Sequence, residues 1–341
     1  MKSLLKAEDF HKEARSPFTS MAYGMKHQVL QLNPILIPAI NDALAARYTV
    51  HRLFEQADPE AWLRAHGAGI AAVITGGHTG ISRAMLERLP ALKVVAVNGV
   101  GTDAVDLAYC RERGLPVTAT LGALTEDVAD LAVGLLIAAC RNLVAVDRFV
   151  REGTWVRQPQ PSAIPLARRV SGMRVGIVGM GRVGRAVAAR LAGFACPVAY
   201  TDLRAMEDVP HAFVPDLVGL ARQSDALVLC AAADKAEGIV DAAVLEALGP
   251  RGYLVNVARG RLVNEPDLCA AIAAGRIAGA GLDVFVDEPN VPETLRASEA
   301  TVLQAHRASA TWETRHAMGE MVLAGIAQAL AGERPALSLT T

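Results

Sequence analysis

The chain has 341 residues, 52% hydrophobic and 20% charged, with Lys+Arg 34 against Asp+Glu 35 and a formal net charge of -1. That length and apolar content support a sizeable core and two domains, and exclude wholesale disorder. Balanced charge without a basic run gives no footprint for nucleic acid, and no apolar stretch reaches the roughly 18 residues of a membrane-spanning helix.

In chain order, residues 1–25 are polar, lack a clear period and read as an extension ahead of the fold, with Met21 and Met25 as alternative starts. Glu8, Asp9, Lys12 and Glu13 interrupt any secretory core there. Runs 27–32, 48–54, 71–75 and 92–97 read as strands, and 37–47, 59–66 and 82–89 as helices, with Asp58 and Ser82 as N-caps. A second series of strands follows at 173–178, 198–201, 226–230, 253–257, 281–284 and 301–304. The alternation predicts an α/β fold with two parallel, helix-covered sheets.

Between the two series, residues 126–151 read as one long helix. Val128, Leu131, Ala132, Leu135, Leu136, Ala139, Leu143, Val146 and Val150 recur at spacings of three and four, and Ile137, Ala138 and Val144 widen the apolar face. Such a helix is buried on more than one side, either across the two domains or against a second subunit. A last helix, 312–331, stops at Gly332 with Pro335 beyond. The five cysteines are odd in number, have no C-x-x-C spacing and lie among apolar neighbours, which predicts reduced buried thiols and a cytoplasmic setting.

Gly179, Gly181 and Gly184 form G-x-G-x-x-G after a strand and at the start of a helix, the context a dinucleotide site requires. Gly179 permits the tight turn, Gly181 lets the backbone approach a pyrophosphate, and Gly184 allows close helix–strand packing. The free N–H groups around Arg182 and Val183 then meet phosphate at the positive end of the helix. The next strand ends at Asp202, 18 residues after Gly184, where a carboxylate accepts ribose hydroxyls and repels a 2′-phosphate. Arg204 can pair with such a phosphate, but Asp202 favours NAD over NADP.

Three later segments carry charged or titratable residues at predicted strand ends: Arg259; Asp283, with Glu288 in the following loop; and His306. Ligands of open α/β sheets bind beyond the carboxyl ends of strands. A guanidinium holds a carboxylate and polarises the adjacent ketone, an imidazole protonates a developing alkoxide, and a carboxylate beside it orients the ring and favours its charged form. The set fits hydride transfer to a 2-keto acid and includes no metal ligand set.

The order and spacing of these segments resemble the D-isomer-specific 2-hydroxyacid dehydrogenases over residues 27–340, most specifically at 124–130, 258–260, 281–285 and 306–315. Within that family the chain looks closest to hydroxyphenylpyruvate and glyoxylate/hydroxypyruvate reductases. The resemblance implies two doubly wound, Rossmann-like or flavodoxin-like domains. A discontinuous substrate domain, 1–122 and 306–341, would surround an inserted dinucleotide domain, 123–305. It implies Arg259, Glu288 and His306 as the catalytic set, Asp283 as partner of the nicotinamide carboxamide, and Ala258 at the cofactor. Backbone amides of Val100 and Gly101 would hold the substrate carboxylate, Gly76 and Gly77 would line the same cleft, and the helix 126–151 would join a homodimer.

Some positions depart from the family pattern. Ala305 stands where Pro often precedes the histidine, Arg307 where an apolar residue is usual, and Ala232-Ala233-Asp234 where Pro-Leu-Thr lies beside the cofactor. Gln158 replaces a second Trp that some members carry three residues past the position of Trp155. These changes bear on cofactor grip and substrate shape. His78, in the loop 76–80, reads as a solvated loop histidine, with substrate contact as the alternative. Two competing functions are an NAD(H)-sensing corepressor-like protein on the same fold and a Rossmann methyltransferase; the latter leaves the three later segments without a role.

Overall fold

The computed structural model describes residues 26–232 and 236–340. The expectations for residues 1–25, and for Ala233 and Asp234, lie outside the described residues. Two parallel sheets form the frame. The first contains β1 (Gln28–Gln31), β2 (Thr49–Arg52), β3 (Ile70–Thr75), β4 (Val94–Val97) and β5 (Val117–Ala119), in the order β2-β1-β3-β4-β5. The second contains β6 (Val175–Val178), β7 (Val198–Thr201), β8 (Ala212–Phe213), β9 (Ala226–Leu229), β10 (Tyr253–Asn256), β11 (Gly279–Leu282) and β12 (Thr301–Leu303). Its order is β12-β11-β10-β9-β6-β7-β8, the doubly wound arrangement with its switch point between β6 and β9.

Every residue of β3, β4, β6, β9, β10 and β11 is buried, as expected of parallel strands covered by helices on both faces. The short strands β5 and β8 were not anticipated, because two or three residues leave no readable alternation. The helix Trp312–Leu330 returns from the end of the second sheet to pack on the first, with Gly319 so close to Ile40 that a Cβ would lie 2.5 Å from its Cγ1.

The single helix expected over 126–151 is two helices, Thr125–Cys140 and Leu143–Arg151, bent by 62°. Asn142 adopts a left-handed conformation (φ 53°), which asparagine tolerates better than most residues, and this breaks the helical ladder. The first helix is buried against the second sheet; a Cβ on Gly281 would meet Leu135 Cβ at 2.8 Å. Its main neighbours are β10, β11 and the helix Arg182–Ala192, and Asp127 in its first turn accepts from Thr311, the N-cap of the helix that packs on the first sheet. The second helix has no buried residue and exposes Leu143, Val144 and Val150, followed by exposed Trp155, Val156 and Leu166. No single helix among the described residues is long and apolar enough to cross a membrane.

Candidate active site

At the glycine turn after β6, Gly179 has φ 91°, and a Cβ there would lie 2.5 Å from Ala231 Cα. A Cβ on Gly184 would lie 2.1 Å from Gly179 O, so the helix Arg182–Ala192 can approach its strand only with glycine at that position. By contrast, a Cβ on Gly181 meets nothing within 4 Å. Gly181 caps the helix, and the first-turn N–H groups of Arg182 and Val183 have no intrahelical acceptor. A dinucleotide pyrophosphate fits this open, electropositive helix end. Asp202, just past β7, accepts N–H bonds from Met180 at 2.8 Å and Leu203 at 2.7 Å, so the carboxylate also braces the turn. Arg204 is exposed.

The titratable set gathers at the carboxyl ends of the strands. After β10, the buried Asn256 side chain accepts from Ala258 N at 3.0 Å and donates to Arg259 O at 2.9 Å, fixing the turn that presents Arg259. Arg259 Nη1 donates to Ala258 O at 2.8 Å, and Nε to Asp103 Oδ2 at 3.2 Å. Asp103 follows β4, so this ion pair crosses from one sheet to the other. Its second oxygen accepts from Arg261 at 2.5 Å. Burial raises the Asp103 carboxyl, but the two guanidiniums outweigh it and hold the pKa below the usual range. A Cβ on Gly101 would lie 2.1 Å from Arg259 Nη2, which places the guanidinium directly over the loop carrying Val100 and Gly101. Gly77 abuts the same loop, 2.7 Å from Gly101 O by the same measure, and Gly76 N donates to Asn33 Oδ1 at 2.8 Å.

His306 follows β12 with φ 52°, a costly conformation for a non-glycine residue. Asp283 maintains it: its backbone oxygen accepts from His306 N at 2.8 Å, and its carboxylate accepts from Arg307 N at 2.7 Å and Ala308 N at 3.0 Å. Asp283 is 1% exposed, and burial raises its pKa despite those two donors. His306 Nδ1 lies 2.9 Å from Glu288 Oε2, and Phe285 N donates to Glu288 Oε1 at 3.0 Å. Burial raises the Glu288 carboxyl, but His306 and the Phe285 N–H together bring its pKa below the ordinary value. With Glu288 ionised, Nδ1 donates to it and Nε2 is the nitrogen left to meet a substrate.

Arg259, Glu288, His306, Gly77 and Gly101 are therefore brought together where loops of the two sheets meet. His78 joins them: its Nε2 is 3.1 Å from His306 Nδ1 and 3.7 Å from Glu288 Oε2, with the two imidazoles edge to face. Burial, and next the neighbouring His306, lower the His78 pKa from the ordinary imidazole value. The donor atoms of His78, Glu288 and His306 lie within 4.8 Å of one another, a spacing that also suits a cation.

The family model "D-isomer specific 2-hydroxyacid dehydrogenase, NAD binding domain" matches residues 133–308. The chain is 39% identical to glyoxylate/hydroxypyruvate reductase A of Arabidopsis thaliana, covering 86% of this chain and 93% of that protein. The chain belongs to the D-isomer-specific 2-hydroxyacid dehydrogenases. It is also 40% identical to the 2-ketogluconate reductase of Gluconobacter oxydans, over 87% of this chain and 94% of the relative. Among solved structures, a 2-hydroxyacid dehydrogenase from Ketogulonicigenium vulgare matches with TM-score 0.84 and 42% identity, covering 93% of this chain and 99% of that one. An NADPH-dependent glyoxylate/hydroxypyruvate reductase from Sinorhizobium meliloti, in complex with NADP and malonate, matches with TM-score 0.85 and 35% identity, covering 92% and 97%.

As a member of this family the chain is an oxidoreductase that couples NAD(P)H to keto-acid reduction. Sequence reasoning gave Asp103 no role, although it closes the glycine-rich loop 98–103 at a strand end. For His78 the sequence favours a solvated loop histidine with substrate contact as the alternative; the structure sets it against His306 and Glu288.

Proposed function

We propose that this dehydrogenase reduces a small 2-keto acid of the glyoxylate, hydroxypyruvate or hydroxyphenylpyruvate type to its D-2-hydroxy acid. Bound NAD(P)H supplies the hydride. Arg259 holds the substrate carboxylate and polarises the ketone, with the Val100 and Gly101 amides below it. His306 Nε2 delivers the proton to the forming alkoxide, and Glu288 stabilises the imidazolium that does so. Asp283 clamps the turn bearing His306 and offers the nicotinamide carboxamide an oxygen that already accepts an N–H. The observation that carries the reading is the 2.9 Å Glu288–His306 pair beside the loops that also receive Arg259. The Arabidopsis and Gluconobacter relatives are named as reductases, which disfavours the corepressor-like alternative.

Residues 1–122 and 306–341 would form the substrate domain and 123–305 the cofactor domain. NADH is the favoured donor because Asp202 meets the ribose edge, although the Sinorhizobium relative is described as NADPH-dependent. The exposed apolar residues over 143–166 replace the unbroken helix 126–151 as the surface expected to form a homodimer, in the cytoplasm. Initial rates with glyoxylate, hydroxypyruvate, 4-hydroxyphenylpyruvate and 2-ketogluconate, each with NADH and NADPH, test the proposal. Absence of turnover with all four would refute it. Asp202→Ser should raise the NADPH-to-NADH efficiency ratio at least about tenfold, about 1.4 kcal/mol; an unchanged ratio would remove Asp202 from the ribose.

A further inference from the structure

Arg307 stands where an apolar residue is usual, and the catalytic reading gives it no role. Its side chain borders a cavity of about 200 Å³ shared with Leu36, Thr311, Trp312 and Arg315. Arg315 is partly buried, and its Nε is fully enclosed without a hydrogen-bond partner. Among the described residues no carboxylate pairs with either guanidinium. Burial pushes the Arg315 pKa below the usual arginine range, and the neighbouring charge of Arg307 pushes it the same way. Of the acids nearest in sequence and bonding, Asp127 accepts a hydrogen bond from the Thr311 hydroxyl and Glu313 lies in the first turn of the helix Trp312–Leu330; among the described residues neither forms an ion pair with Arg307 or Arg315. Two like charges thus face one cavity with no counter-ion, at the first turn of the 19-residue helix Trp312–Leu330, whose dipole adds positive potential.

The cavity is too small for a whole drug-sized ligand, for which pockets run to about 300–1,000 Å³, but suits one anionic group. Its lining contains none of the catalytic side chains but includes the residue next to His306. Arg307 directly follows His306 in the turn clamped by Asp283, and Leu36 lies beyond the carboxyl end of β1, the sheet edge that also carries Gly76 and Gly77. Leu36 and Trp312 are 57% and 72% exposed, so the cavity opens to solvent and a ligand can enter.

We propose that Arg307 and Arg315 form an anion subsite for a second charged group, a carboxylate or phosphate, carried by the 2-keto acid away from its reacting carbonyl. The inference rests on the keto-acid reading above and names its substrate class as dianionic. Matched pairs test it: 3-phosphohydroxypyruvate against hydroxypyruvate, and oxaloacetate against pyruvate, by kcat/KM in the wild type and in Arg307→Met/Arg315→Met. Methionine keeps much of each apolar stem, and circular dichroism with glyoxylate turnover checks that the variant folds. A charge-assisted hydrogen bond contributes enough that the dianion-to-monoanion ratio should fall at least about tenfold for one pair or both, with glyoxylate turnover retained. A fall confined to the first pair identifies phosphate, and to the second carboxylate. If neither ratio falls, or all substrates lose equally, the subsite is overturned while glyoxylate turnover in the wild type keeps the enzymatic reading intact. Lack of any wild-type turnover would sink both.

Discussion

Replacement of Gly101 by alanine isolates the position of Arg259 from the rest of the fold. Gly101 needs no unusual backbone conformation, so alanine introduces no strain of its own. Its Cβ would, however, lie 2.1 Å from Arg259 Nη2 and 3.0 Å from Asp103 Oδ2. Ordinary contact begins at 3.4 Å, so the guanidinium must retreat by 1.3 Å (3.4 less 2.1). The neighbour is the far end of a flexible side chain, and the move is therefore cheap for folding. It is expensive for chemistry, because a misplacement of about 1 Å in a reacting assembly costs on the order of 10²-fold. Keto-acid kcat/KM should fall about 10²-fold, equivalent to about 2.7 kcal/mol, with the midpoint of thermal unfolding and NADH affinity little changed. Steady-state NADH oxidation, cofactor titration and a thermal melt suffice as assays. Wild-type kcat/KM in a folded Gly101→Ala protein would show that Arg259 does not act over this loop; an equal loss of stability would show a packing role instead.

Glu288→Gln keeps the size but removes the charge beside His306 Nδ1, so the alkaline limb of the reduction profile should move to lower pH and hydroxy-acid oxidation should extend to lower pH; immobile limbs in kcat/KM against pH would reject the pairing. Arg259→Lys keeps a charge but loses the planar fork, and should cost about a hundredfold in keto-acid reduction with NADH affinity unchanged; near-normal turnover rejects the role. Asp225 accepts from Arg174 N, Nε and Nη2 at 2.9, 3.2 and 3.0 Å and pairs with Arg168 at 2.8 Å, and Arg174 foremost holds its pKa far below the carboxylate range. A depressed pKa gives stability that is present above the unfolded value and lost as pH falls through the folded one. Asp225→Asn should therefore cost about 1.5–3 kcal/mol in denaturant unfolding at pH 7, with the gap to wild type closing in acid below about pH 4. A gap independent of pH would contradict the ion-pair account.

Local rules determined much of this protein. Glycine spacing after a strand located the turn at 179–184, and the ends of predicted strands located Arg259, Asp283 and His306, because strand length, turn chemistry and helix period are properties of a few adjacent residues. The helix at Pro59–His66 and the strand at Val198–Thr201 match their expected limits. The break at Asn142 escaped because the apolar period runs through it, while a left-handed residue depends on how each half packs. Partners distant in sequence were decided only in three dimensions. Asp103 meets Arg259 across 156 residues, and His78 meets His306 across 228, each through the approach of two separately folded sheets. Nothing in a local window encodes which loop of one sheet faces which loop of the other; burial of both sheets and their returning helix sets that geometry, and with it the site.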